Sequence, residues 1–116
     1  RTLLITGQPP AGRREFSRTE QVEVNAEIYL VPPAFPDDDI EQQLRITTSV
    51  ATPDGRIVYE STDLGQGETL PSGVYGYWHY ALVPVSTLAP GSYVVWVTAV
   101  DGGASASRSL PITIVR

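Results

Sequence analysis

His79 is the only histidine in the chain, and there is no cysteine. Any Ser-His-Asp arrangement must therefore be built on His79 with a loop serine and aspartate, yet no Gly-x-Ser-x-Gly elbow occurs. His79 also stands in mid-segment among aromatic residues, which favours a hydrogen-bonded structural histidine over a catalytic or ligating one. The one dense acidic cluster is Asp37, Asp38 and Asp39, with Glu41 close by. Hard cations take several carboxylate and carbonyl oxygens, so a loop at a domain end could hold Ca²⁺ there, with Asp101 as an added ligand. The EF-hand spacing is missing, and adjacent loop acids that are simply solvated are the competing reading. No other cofactor is expected. Glu23 and Glu27 lie four residues apart on one strand face, in water, which does not suit the facing carboxylates of a glycosidase. Tyr75, Tyr77, Trp78, Tyr80 and Trp96 are the aromatic stock. Exposed, such rings stack on sugars or anchor protein partners; buried, they fill a core. Trp78 and Trp96 are the candidate contacts, and Arg45 is expected to cover Trp96 by a cation–π contact from the neighbouring strand.

The elements that carry these residues read as strands. From Gln21 to Val31 apolar Val22, Val24, Ala26, Ile28 and Leu30 alternate with mostly polar neighbours, so one face is buried and one is wet. Leu44, Ile46, Thr48 and Val50 repeat the pattern. Thr52-Pro53-Asp54-Gly55 is a turn, and residues 56–61 return as its hairpin partner. Residues 62–73, with three glycines and a proline, read as a long irregular connection. In Val74 to Val85 both phases are largely apolar, and periodicity does not choose the inward face. Leu88-Ala89-Pro90-Gly91-Ser92-Tyr93 is a corner leading into Val94-Val95-Trp96-Val97-Thr98-Ala99-Val100. Tyr93, positioned by Pro90 and Gly91, is expected to form a tyrosine corner, its hydroxyl bonding back to the upstream chain. With Tyr93 inward, Trp96 faces away. Residues 107–115 close the fold with Leu110, Ile112 and Ile114 inward and Pro111 at an edge.

The sum is an all-β antiparallel β-sandwich of about seven strands in one domain, residues 1–116, closed over Val22, Ile28, Ile46, Val95 and Ile112. Residues 1–7 form a short apolar strand with Leu3, Leu4 and Ile5, and residues 8–14 a Pro/Gly linker. Such a strand could detach and complete another subunit's sheet edge, giving a surface filament. The chain has 13 acidic residues against 8 basic ones, and all eight are Arg. An acidic domain without a basic stripe does not suit nucleic acid or an anionic membrane, and no apolar run reaches a membrane span. Absence of lysine excludes a Schiff-base amine, a P-loop lysine and a Lys–Asn crosslink. The opening at Arg1 rather than Met is what a processed form or an excised part of a longer protein would show.

Several segments carry a resemblance in their order along the chain. They are Phe16-Ser17-Arg18-Thr19-Glu20, Glu27-Ile28-Tyr29, Ile46-Thr47-Thr48-Ser49-Val50 and Pro53-Asp54-Gly55-Arg56-Ile57-Val58-Tyr59, then Gly76-Tyr77, Leu88 to Tyr93 and Ser107-Arg108-Ser109-Leu110-Pro111. Together, over residues 16 to 115, they resemble the C-terminal region of bacterial von Willebrand factor type A-related proteins of Acidobacteria-type genomes. The resemblance implies an immunoglobulin-like module without catalysis at the end of an exported protein, extracellular, at the cell surface or periplasmic. The family's metal-binding adhesion motif lies in a separate domain, and nothing here matches it. The acidic Pro-rich stretch 32–39 and Trp78-His79 depart from the family pattern. The expected function is a non-enzymatic structural or interaction module that docks a protein partner or neighbouring domain. The alternatives are the strand-donating filament subunit and a carbohydrate-binding module that uses exposed aromatics.

Overall fold

The computed structural model describes residues 2–6, 15–31, 43–66, 68–102 and 104–116. The acidic cluster Asp37, Asp38 and Asp39, Glu41, and the Pro/Gly linker 8–14 lie outside the described residues. Among the described residues there are nine strands and no helix: β1 (Thr2–Thr6), β2 (Glu15–Ser17), β3 (Gln21–Val31), β4 (Gln43–Ala51), β5 (Ile57–Gln66), β6 (Glu68–Thr69), β7 (Tyr75–Pro84), β8 (Gly91–Asp101) and β9 (Ala104–Val115). They form a four-stranded sheet in the order β1-β3-β7-β6 and a five-stranded sheet in the order β2-β9-β8-β4-β5. Every ladder is antiparallel except the short β2–β9 pair. Leave out β2 and the edge strand β5. One sheet then takes the first, second, fifth and fourth strands, and the other the third, sixth and seventh. That is the connectivity of an immunoglobulin-like sandwich.

The alternation in β3 decides its placement. Val22, Val24, Ala26, Ile28 and Leu30 are all buried, while Gln21, Glu23 and Asn25 are exposed. From the other sheet Leu44, Ile46, Val50, Val95, Val97, Ala99, Ile112 and Ile114 meet them. The five residues over which the layers were expected to close are each at most 2% exposed. Full burial of one such side chain stabilises by roughly 1.5–3 kcal/mol. Tyr93 is buried, and its hydroxyl donates to the Ala89 carbonyl at 2.6 Å. Gly91, just upstream, has φ +152°, a conformation side chains rarely adopt.

β1 pairs with β3 of the same chain, Leu3 opposite Leu30 and Ile5 opposite Ile28. Leu3 is buried in the common core, and Arg108 Nη1 on β9 donates to the Ile5 carbonyl at 3.4 Å. The strand read as detachable therefore sits in its own sandwich. Pro111 lies opposite Val94, while β2 covers only Thr113 to Val115 of β9, so the proline falls where the described ladder on that side has ended.

Two connections differ from expectation. β5 continues to Gln66, and β6 follows at Glu68–Thr69, where an irregular segment was expected from residue 62. The reason is Gly65, which is not a turn residue. It faces the core opposite Leu44, and a Cβ there would stand 2.5 Å from two ring atoms of Tyr77 on β7. The glycine lets an aromatic ring from one sheet lie against the backbone of the other. β9 likewise starts at Ala104, three residues before the expected Ser107, because the β8 ladder extends to Asp101.

Candidate functional site

β7 resolves the phase that its sequence left open. His79 and Val83 are buried and Tyr75, Tyr77 and Ala81 half-buried, while Trp78, Tyr80, Leu82 and Pro84 face out. His79 Nε2 and Thr48 Oγ1 on β4 are hydrogen-bonded at 2.9 Å, across the core from one sheet to the other. Burial holds the imidazole below its ordinary value, and the Asp63 carboxylate on β5 opposes that effect. No buried side-chain nitrogen or oxygen among the described residues lacks a partner. The one histidine thus joins the layers in neutral form, with a threonine and not a nucleophilic serine as its partner.

Asp101, the added calcium ligand of the sequence reading, is buried at the end of β8, where it pairs with Ala104. No group of three or more metal-ligating side chains occurs among the described residues.

The tryptophans are separated by the whole sandwich. Trp96 is on the outer face of the five-stranded sheet, 40% exposed, between Ser49 on β4 and Ser109 on β9. Arg45 does not cover it. The strands are neighbours as expected, but the register places Arg45 opposite Val100, four residues further along. Such a span is about 13–14 Å, beyond ring contact.

Trp78 belongs to a larger surface on the four-stranded sheet. Directly opposed residues project from the same face. The registers therefore lay out the rows Thr6–Glu27–Trp78, Leu4–Tyr29–Gly76, Asn25–Tyr80 and Glu23–Leu82. Trp78 is 53% and Tyr80 56% exposed, and Leu82 and Leu4 are exposed beside them. Gly76 is the hole in this face. A Cβ built on it would lie 3.5 Å from the far edge of the Trp78 indole, 3.5 Å from Tyr29 and 3.3 Å from Leu70. The indole therefore lies along its strand above Gly76 instead of standing away from the sheet.

Two carboxylates border the aromatic row. The Tyr29 hydroxyl donates to Glu27 Oε2 at 2.8 Å, and Thr6 Oγ1 donates to the same oxygen at 3.4 Å. The Tyr80 hydroxyl donates to Glu23 Oε1 at 3.3 Å. The bond to Glu27 raises the Tyr29 pKa, and desolvation, then the Glu23 charge, raises that of Tyr80. Both tyrosines stay neutral donors that orient an acid. No arginine among the described residues pairs with Glu23 or Glu27.

Of the residues singled out as contacts, the fold thus brings Leu4 and Trp78 onto one face. It turns Leu3 and Ile5 inward and puts Trp96 on the opposite side. Sequence reasoning missed Tyr29, Gly76 and the tyrosine–carboxylate pairs. The signal for Tyr29 was present, since it sits in the outward phase of β3 together with both glutamates. In comparisons with known proteins, no protein-family model matches the chain and no curated protein matches it.

Proposed function

We propose that this domain is a non-enzymatic interaction module that docks a protein partner or a neighbouring domain through the outer face of the β1-β3-β7-β6 sheet. The observation that carries the reading is the contiguous exposure of Leu4, Trp78, Tyr80 and Leu82 on that one face. Tryptophan and tyrosine are the residues that most often anchor protein interfaces, and large apolar side chains gathered on one wet face mark such surfaces. The interior supports the same reading. His79 is committed to Thr48 inside the core, a structural duty that removes it from any surface chemistry. The resemblance to the C-terminal region of von Willebrand factor type A-related proteins supports a place in an exported bacterial protein, outside the cytoplasm. The pairing of β1 within its own chain favours a self-completed module over a strand-donating filament subunit.

A photo-crosslinking amino acid placed at position 78 of the full-length protein, with position 96 as control, tests the reading in the producing cell. Expected are crosslinks to another polypeptide or to a neighbouring domain from position 78 and few from 96. No crosslink from 78, or equal yields from both faces, would refute it.

A further inference from the structure

The docking face has a charge character of its own. Two of its acids, Glu23 and Glu27, are held by tyrosine hydroxyls, and no described arginine neutralises either one. The rings of Trp78 and Tyr80 lie beside them, more than half exposed. An aromatic face attracts a cation, and a carboxylate next to it accepts the cation's hydrogen bonds. Guanidinium fits both demands, because it is planar, stacks on rings and grips a carboxylate with two parallel N–H groups; an ammonium does only part of this.

We infer that this face binds an extended, arginine-bearing segment of a partner protein. The inference rests on the docking reading above and adds the chemistry of the occupant. The spacing of the acids sets the spacing of the cations. Glu23 and Glu27 are four residues apart on one strand, with Asn25 and, across the ladder, Tyr80 between them. At about 3.4 Å per residue the two carboxylates are anchored roughly 13–14 Å apart. A partner chain in the same extended form places its residues one and five at that separation and on one side. Arginines four positions apart therefore meet both acids, while arginines three positions apart point to opposite sides. Each guanidinium lands beside a ring, Trp78 next to Glu27 and Tyr80 next to Glu23. The net charge of −5 draws such a segment in at low salt.

The probe is a capped peptide of alternating threonine and valine with two arginines four positions apart, titrated calorimetrically into the whole chain. Saturable binding is expected. It should weaken by about tenfold or more when both arginines become citrulline, which keeps the shape and removes the charge. Similar losses are expected for the peptide with arginines three apart, for Trp78→Ala and for the double variant Glu23→Gln with Glu27→Gln. Trp96→Ala should bind as the unchanged protein does, and binding should fall with added salt. Circular dichroism melts confirm that each surface variant is folded, and Trp78→Phe should recover part of the affinity. Equal affinity for the citrulline peptide, full binding by the double glutamine variant, or no saturable binding would overturn the inference. A neutral xylan or cellulose oligomer whose binding needs Trp78 but neither carboxylate would overturn it in favour of a sugar. Crosslinks from position 78 with no peptide binding would leave the docking reading standing and remove only its cationic occupant.

Discussion

The close approach of the Tyr77 ring to Gly65, across the two sheets, offers the sharpest test of how this core is packed. In Gly65→Ala the new Cβ would stand 2.5 Å from Cε2 and Cζ of Tyr77 and 2.9 Å from its hydroxyl oxygen. Carbon atoms rest at about 3.5–4.0 Å, so the ring must retreat by about 1 Å or the strands must part. The Tyr77 ring is stacked beside His79, with centroids 6.5 Å apart, and His79 is itself bonded to Thr48. Overpacking of this kind costs about 1–3 kcal/mol. With an unfolding entropy of roughly 2.1 cal/mol/K per residue over 116 residues, each kcal/mol moves Tm by about 4 °C. The variant should therefore melt about 4–12 °C lower in a calorimetric scan. The sign should reverse when the ring is removed. In a Tyr77→Leu background Gly65→Ala should be neutral or stabilising by up to about 1 kcal/mol, since a strand glycine is then merely replaced by a better strand former. The double-mutant cycle should give a coupling of about 1–4 kcal/mol. A Gly65→Ala protein as stable as the parent, or additive effects in the cycle, would refute the claim that this glycine exists to receive the ring.

Acid should weaken the fold through His79. Its pKa in the folded chain lies below the ordinary 6.5, chiefly because of burial, so the unfolded chain takes up the proton first. The contribution of the neutral imidazole is complete above pH 6.5 and is lost as pH falls through the folded-state value. Urea unfolding at a series of pH values should show this loss, and His79→Gln should flatten the curve in that window; an unchanged slope would exclude burial as the cause. Tyr93→Phe removes the 2.6 Å bond to Ala89. Because Ala89 is exposed, water can take over its carbonyl, and the cost should be near the net value of one hydrogen bond, about 1 kcal/mol. It should be seen as a lower urea midpoint with unchanged m. A shift below about 0.3 kcal/mol would mean that the corner is held by packing alone.

How much was legible follows from which residues have only one physical reading. β3 and β4 alternate cleanly, and their inward residues are the buried ones. Proline and glycine in Thr52 to Arg56 gave the turn, and the backbone closes it there with Thr52 N–H donating to the Arg56 carbonyl at 2.8 Å. β7 could not be phased because valine, alanine and aromatics serve equally in a core and on a shelf. The face turned inward carries His79, which is bonded there to Thr48 in the other sheet. Gly65 was misleading for a physical reason. A glycine that makes room for a ring is indistinguishable in sequence from one that makes a turn, because the ring it receives comes from another strand. The exposed aromatic face was half visible. Trp78 was singled out, but its company depends on cross-strand register, and the register that puts Trp78 opposite Glu27 and Arg45 opposite Val100 is fixed by the ladders as a whole.

The bond between Thr48 and His79 also supplies a natural reporter. With one imidazole in the entire chain, its ring protons give a single, unambiguous set of magnetic resonance lines. Those lines come from the seam where the two layers touch. Any event that slides or opens the layers, whether a bound ligand, pressure or a remote substitution, should move them before the melting curve changes.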